Sequence, residues 1–344
     1  MHYTAKYWED VAQSLQYVDD TEDLLHKTIF ITGVTGMICS AVVDALHYLN
    51  ENGSADIKMI LAGRNRERIQ ARFPHMSEGK DYEFISYDAT IPLSLNVQAD
   101  FIIHSASNPD PVKISREPVE TMLANLYGLD SLLKVAVKNK GCRLLYISSS
   151  EIYGKKDENT PYNETDYGYV DILNPRACYP SAKRAAETLC VSYGVQYGVD
   201  FVIARPGHIY GPTIKEDDSR ASAQFTKTVA KGEDIVLKSP GRQLRSYCYV
   251  LDCATAILTI LLKGKSGEAY NISNPHSICS IRALAEAMAK IGDVKVITTE
   301  SSVADKQSYN LMDNSSLASD KLESLGWQGR FDLEKGLQTL INGM

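Results

Sequence analysis

Six short apolar runs punctuate the chain, at Thr28 to Thr32, Lys58 to Ala62, Glu83 to Tyr87, Phe101 to His104, Leu144 to Ser148 and Phe201 to Ala204. Segments of helical period stand between them, among them Met37 to Asn50, Glu117 to Asn139 and Ser181 to Tyr197. A strand buried on both faces reads as a continuous apolar run, and strands alternating with helices form a parallel sheet covered on both sides. An α/β protein with a doubly wound parallel sheet is therefore expected. With 344 residues, 44% of them hydrophobic, the chain can bury such a core without disulfides or metals.

The pattern loosens after Pro206, where Pro and Gly recur at 211, 212, 240 and 241 and the elements shorten. This divides the chain into an N-terminal helical extension (1–26), a sheet domain (27–205, rejoined by strands from about 247–273) and a smaller α/β region (mostly 206–344). Ile281 to Ile291 and Ala318 to Leu325 are the helices expected in that last region. In the extension, Trp8, Val11, Ala12 and Leu15 recur at helical spacing, as in an amphipathic helix docked on the body. A net charge of −7 argues against nucleic acid and anionic membrane as partners. The apolar run Ala256 to Leu262 is too short to span a bilayer, and a cytoplasmic protein is expected. Seven scattered cysteines with no Cys-x-x-Cys pair suggest neither a disulfide framework nor a metal site.

The first strand runs into Gly33-Val34-Thr35-Gly36-Met37-Ile38-Cys39 and then a helix. Glycines at such a turn let the backbone approach a pyrophosphate, toward which free N–H groups and the helix dipole point. The spacing fits G-x-x-G-x-x-G with Cys39, a small residue, at the third glycine. After the second strand comes Gly63-Arg64. An NAD site places Asp or Glu here for the ribose 2′-hydroxyl, whereas Arg suits a 2′-phosphate, so the turn leans toward NADP. Arg66 and Arg68 are expected to be a solvated helix face. Asp88 follows the third strand, where it can accept from the adenine amino group, and Ser105-Ala106-Ser107 follow the fourth, small enough for a dinucleotide to pass.

Tyr179-Pro180-Ser181-Ala182-Lys183 opens a helix, and its i, i+4 spacing sets the Lys183 ammonium near the Tyr179 hydroxyl. A neighbouring cation favours phenolate, which would make Tyr179 a proton acceptor near neutral pH. Upstream, Ser148-Ser149-Ser150-Glu151 stands at the mouth of a buried strand. With the glycine turn, Tyr153-Gly154, Arg205-Pro206, Tyr210-Gly211-Pro212 and Arg245-Ser246-Tyr247-x-Tyr249-Val250-x-Asp252, these motifs fall in one order over roughly residues 27 to 330. In this the chain resembles the extended short-chain dehydrogenase/reductase family, the nucleotide-sugar epimerase/dehydratase group.

The resemblance implies a Rossmann-type sheet and a tightly held, regenerated NAD or NADP. It places Gly33, Thr35, Gly36, Met37, Ile38, Arg64, Asp88, Ala89, Ser105, Ala106, Ser107, Asn125, Tyr179, Lys183 and Pro206 along that cofactor. It makes Tyr179, Lys183, Ser149, Ser150 and Glu151 catalytic, and it sets Ser149, Glu151, His208 and Arg245 against a nucleotide-diphosphate sugar. Tyr179 removes the sugar 4-OH proton while hydride leaves C4, and the 4-ketone then acidifies C5 or turns a C6 carboxylate into a β-keto acid. Ser150-Glu151 and the approach Pro175-Arg176-Ala177-Cys178-Tyr179 look most like a UDP-glucuronate decarboxylase. A 4,6-dehydratase of the dTDP-glucose or GDP-mannose type and a 4-epimerase are the alternatives, followed by an NADPH-dependent ketone reductase and a non-catalytic NADP-sensing protein. Thr213 departs from the family, which often has Arg there. The other reading of Glu151 is a capping carboxylate. Arg220 and Arg242 read as surface charges and Asp252 as a group fixing local backbone. A homodimer through a four-helix bundle of 117–139 and 181–197 is also implied.

Overall fold

The computed structural model describes residues 3–107, 109–299 and 312–343. Helix α1 (Ala5–Leu15) and a 3-10 turn (Thr21–Leu24) lead into β1 (Thr28–Thr32) and α2 (Met37–Gly53). Next come β2 (Lys58–Gly63), α3 (Arg66–Arg72), β3 (Glu83–Ser86), β4 (Phe101–His104), α4 (Pro111–Arg116) and α5 (Pro118–Lys138). They are followed by β5 (Arg143–Ile147), α6 (Cys178–Tyr197), β6 (Asp200–Pro206), β7 (His208–Tyr210), α7 (Ala221–Ala230), β8 (Ile235–Leu237) and β9 (Leu244–Tyr249). The remainder is α8 (Val250–Lys263), β10 (Ala269–Ile272), β11 (Ile278–Ser280), α9 (Ile281–Gly292), β12 (Val296–Thr298), β13 (Asn314–Ser315) and two closing helices, Asp320–Glu323 and Leu333–Asn342.

Seven strands pair in parallel in the order β10-β6-β5-β4-β1-β2-β3. From β1 the chain builds outward to β3, then returns to the other side of β1 with β4. That reversal parts the loops at the carboxyl ends of β1 and β4 and leaves a crevice there. Successive residues of β1 face opposite layers: Ile29 and Ile31 join the core under α2 and α8, while Phe30 joins the core under α5 and α6.

The run Ala256 to Leu262 lies in α8, buried almost all round and packed on α2, α1 and the sheet. Among the described residues no helix is long and apolar enough to cross a membrane. The seven cysteines form no disulfide. In the extension, Val11 and Leu15 are buried as expected and Trp8 half-buried, but Tyr7 supplies the anchor, its hydroxyl donating to Asp44 of α2 at 2.7 Å. The helix expected at Ala318 to Leu325 shrinks to Asp320–Glu323 because Leu317 is drawn into a bridge with Tyr162. Beyond β6, six-residue β9 pairs with β7, β11 and β13, and β8 with β12; those partners and β8 are two or three residues long, too short to leave a pattern in the sequence.

Candidate active site

Gly33 has φ +69°, and a Cβ there would sit 2.9 Å from the backbone C and O of Ser105, so only glycine fits between the ends of β1 and β4. Thr32 ties those ends together: its hydroxyl oxygen lies 2.8 Å from His104 Nδ1 and accepts from the Ser105 and Ala106 amides at 3.2 Å. Gly36 N-caps α2 without a side-chain acceptor, which leaves the first-turn amides and the positive end of a 17-residue helix facing the crevice. Thr35 and Ile38 are half-buried at this turn and Met37 buried. Cys39 is buried in the core, where burial pushes its thiol up to about 12.

Arg64 is exposed after β2 and has no hydrogen bond or ion pair among the described residues. Burial raises the Asp88 carboxyl, but hydrogen bonds from the Thr90 amide (2.9 Å) and hydroxyl (2.8 Å), with the Arg64 charge, bring it below its ordinary value. Arg66 pairs with Glu78 at 2.9 Å and lies over the Phe84 ring, and Arg68 is exposed. Ala89 is buried, Ser105 and Ala106 are half-buried, and the buried Ser107 hydroxyl has no partner among the described residues. Pro206 ends β6. Asn125 is engaged by the protein itself, donating to Thr121 O at 2.7 Å and accepting from the Tyr146 hydroxyl. The glycine cradle and the uncapped helix fit the pyrophosphate of a dinucleotide.

β5 delivers the serines to the middle of the sheet's carboxyl edge. Ser149 caps a 3-10 turn (Ser150–Tyr153), its hydroxyl accepting from the Glu151 amide at 3.2 Å, and Ser150 is buried. α6 begins at Cys178 rather than Ser181, because Asn174 caps a preceding 3-10 turn (Pro175–Ala177) that runs straight into it. Tyr179 thus sits in the first turn of α6, with Ser149 near enough to its hydroxyl to act on its acidity. Burial, then the Glu151 charge, push the phenol up to about 12, while Ser149, Arg176 and Arg220 pull the other way. Lys183 donates to Ile147 O at 2.8 Å, with its ammonium 4.7 Å from the Tyr146 ring centre and 5.8 Å from that of Tyr179. Burial pushes the amine down to about 7. The pair is therefore brought together as the spacing anticipates, but in the protein alone Tyr179 is a phenol: burial outweighs the neighbouring cations.

Glu151 does not cap a helix. Its carboxylate accepts from the Arg176 guanidinium at 2.8 Å, and Arg176 is buried with its Nε unpartnered. The spacing of 151 and 176 gave no sign of this contact, since a long loop separates them. Arg245 is buried on β9, donates to Leu244 O at 2.8 Å and forms no ion pair among the described residues. His208 packs edge-on to Tyr247 with Nδ1 buried and unpartnered, and burial, then Arg245 and Arg220, push it down to about 3. Arg220, expected as a surface charge, instead N-caps α7, pairs with Asp218 at 2.6 Å and stands near enough to Tyr179 and His208 to shift both. Arg242 is exposed. Asp252 holds backbone, accepting from the Arg330 and Phe331 amides. The crevice thus ends in a phenol, a hydroxyl and an ion-paired carboxylate, ringed by Arg176, Arg220 and Arg245.

The model of the NAD dependent epimerase/dehydratase family matches residues 29–273. UDP-glucuronic acid decarboxylase 6 of Arabidopsis thaliana is 32% identical over 311 residues, covering 90% of this chain and 86% of that protein. UDP-glucuronic acid decarboxylase 1 of Xenopus tropicalis is 29% identical over 319 residues, covering 92% and 72%. Among solved structures, the UDP-glucuronic acid 4-epimerase of Bacillus cereus, in complex with UDP-glucuronic acid and NAD, superposes with a TM-score of 0.75 at 21% identity, covering 92% of this chain and 98% of that one. The dTDP-glucose 4,6-dehydratase of Bacillus anthracis, in complex with NAD, gives 0.72 at 19%, covering 92% and 96%.

Proposed function

The chain belongs to the NAD dependent epimerase/dehydratase family, and from that premise we propose that it converts a nucleotide-diphosphate sugar through a 4-keto intermediate, most specifically as a decarboxylase of UDP-glucuronate. The observation that carries the choice is the Glu151–Arg176 ion pair. A 4,6-dehydratase needs an acid to protonate the departing 6-hydroxyl; Ser150 is a poor one, and an ion-paired carboxylate has no proton to give. Decarboxylation needs no acid at C6, and the relatives of about 30% identity bear decarboxylase names.

A nicotinamide dinucleotide held by the Gly33–Ile38 turn would supply a reversible hydride acceptor for C4. Tyr179 takes the 4-hydroxyl proton, with Ser149 holding that oxygen beside it. Lys183 supplies the positive charge a phenolate needs. Once C4 is a ketone, the C5–C6 bond breaks, carbon dioxide leaves, and the electron pair moves onto the C4 oxygen, where the Tyr179 and Ser149 hydroxyls stabilise it. Protonation at C5 and reduction at C4 complete the product. Glu151, set by Arg176, orients the reacting end, and Arg245, His208 and Arg220, from the region after 206, take the diphosphate.

The cofactor reading places Gly33 to Ile38 on the pyrophosphate, Asp88 and Ala89 at the adenine, and Ser105 to Ser107, Asn125 and Pro206 along the path to the nicotinamide. Arg64, unpaired where an acidic residue would select NAD, is the basis for assigning NADP. Exposed apolar residues on α5 (Val119, Met122, Tyr127) and α6 (Val191, Val195, Tyr197) support a homodimer through these helices. The test is the mass of the product after incubation with UDP-glucuronate and NADP+ or NAD+. Loss of carbon dioxide supports the assignment, and an unchanged mass with inverted C4 makes the enzyme an epimerase. Untouched substrate sinks both and turns attention to neutral hexose nucleotides, where loss of water marks a dehydratase.

A further inference from the structure

At the far end of α2 from the crevice, three side chains converge that the chemistry above does not use. His47 and Glu51 stand four residues apart on one face of α2, about 15 and 21 Å along the helix from its N-terminus at 1.5 Å per residue. Asp81 meets them from the turn before β3. One ligand atom from each of the three lies within 4.8 Å of the others. Asp81 is oriented for the task by the Ser77 amide, which donates to its Oδ2 at 2.6 Å; its Oδ1 has Lys80 at 3.6 Å.

The surroundings add an independent observation. The His47 ring lies 6.1 Å from the Trp8 ring and 5.0 Å from the His75 ring, and its nitrogens have no hydrogen bond among the described residues. Among the described residues both His75 nitrogens are buried without a hydrogen-bond partner; Asp44 lies 3.6 Å away, and Arg72 and Asp81 are close enough to act on the ring. Two neighbouring imidazoles with unused lone pairs, beside two carboxylates, form a donor set that water satisfies poorly at the buried atoms.

We propose that His47, Glu51 and Asp81 bind one divalent transition-metal ion of the zinc class, with the remaining position taken by water or, after a small ring movement, by His75. One imidazole and two carboxylates balance the charge of such an ion, and the nitrogen donor favours it over magnesium or calcium, which take oxygen ligands. The site departs from the sequence expectation of no metal because its ligands are histidine and carboxylate, and Asp81 joins the His47–Glu51 pair only through the fold. It pins the turn before β3 to the end of α2, and through the Trp8 and His75 rings it braces α1, giving the N-terminal extension a structural role.

The full-length protein, stripped with a chelator, is titrated with Co2+ and followed by its visible absorption, with Zn2+ calorimetry in parallel. The expected result is one ion per chain and a raised melting temperature. Glu51 is exposed, so Glu51→Gln folds normally; it weakens Co2+ by at least about tenfold, and His47→Gln abolishes the visible bands. Absence of saturable binding up to millimolar Co2+, or wild-type affinity in both variants, overturns the proposal.

Discussion

Removing Arg176 tests the arrangement on which the reaction assignment rests. Its guanidinium is 2.8 Å from the Glu151 carboxylate, and the two side chains are 9% and 20% exposed. A hydrogen bond to a charged group is worth about 1.5–3 kcal/mol, and stripping one partner from a fully buried pair costs about 3–5 kcal/mol. Water reaches a fifth of Glu151, which places Arg176→Met toward the lower end, at about 3 kcal/mol. Glu151→Gln keeps the shape and one acceptor and costs about 2 kcal/mol. The double variant leaves neither charge stranded, so its loss falls short of the sum by about 2 kcal/mol. Urea unfolding of the four proteins at one fixed cofactor concentration gives the coupling directly. Additivity within about 0.5 kcal/mol would refute the ion pair. Turnover separates structure from chemistry: the double variant is no less stable than Arg176→Met alone but stays inactive, and activity in the double variant would reduce Glu151 to a scaffold residue.

Three other outcomes follow from named contacts. Gly33→Ala combines a left-handed backbone, costing about 1–2 kcal/mol for an L residue, with a Cβ 2.9 Å from Ser105; it weakens cofactor binding by fluorescence titration, and an unchanged Kd contradicts the cradle. Arg64→Glu lowers NADP+ affinity relative to NAD+ by at least about tenfold, or about 1.4 kcal/mol, and an unaltered ratio removes the basis for NADP. His104 is buried and pushed down to about 3, while the unfolded chain has its histidine near 6.5. Between those values the unfolded state binds more protons, so the stability His104 contributes above about 6.5 is lost as pH falls, by about 2 kcal/mol from pH 7 to 5. His104→Gln removes that part of the pH slope in urea midpoints, and equal slopes would refute it.

The parallel sheet was legible because each of its first six strands is an apolar run bounded by turn residues, and the glycine cradle because a positive φ beside β4 demands Gly33. Tyr179 and Lys183 were visible as a spacing, yet not the burial that keeps the tyrosine a phenol. Arg176 and Arg220 escaped for a different reason. The partners Glu151 and Arg176 are 25 residues apart along the chain, and a loop path of that length carries no periodicity. Arg220 has the surroundings of an ordinary polar loop until Asp218 and α7 fix it near Tyr179. The second region was opaque because strands of two or three residues cannot show alternation.

The central claim is decarboxylation with a recycled cofactor, and one experiment measures both halves. UDP-glucuronate labelled at C6 is supplied in large excess over NADP+, while released carbon dioxide and nicotinamide absorbance are followed together. The account predicts one carbon dioxide per substrate consumed with no accumulation of NADPH. Carbon dioxide matched by equal NADPH, or substrate consumed with no carbon dioxide at all, would contradict it.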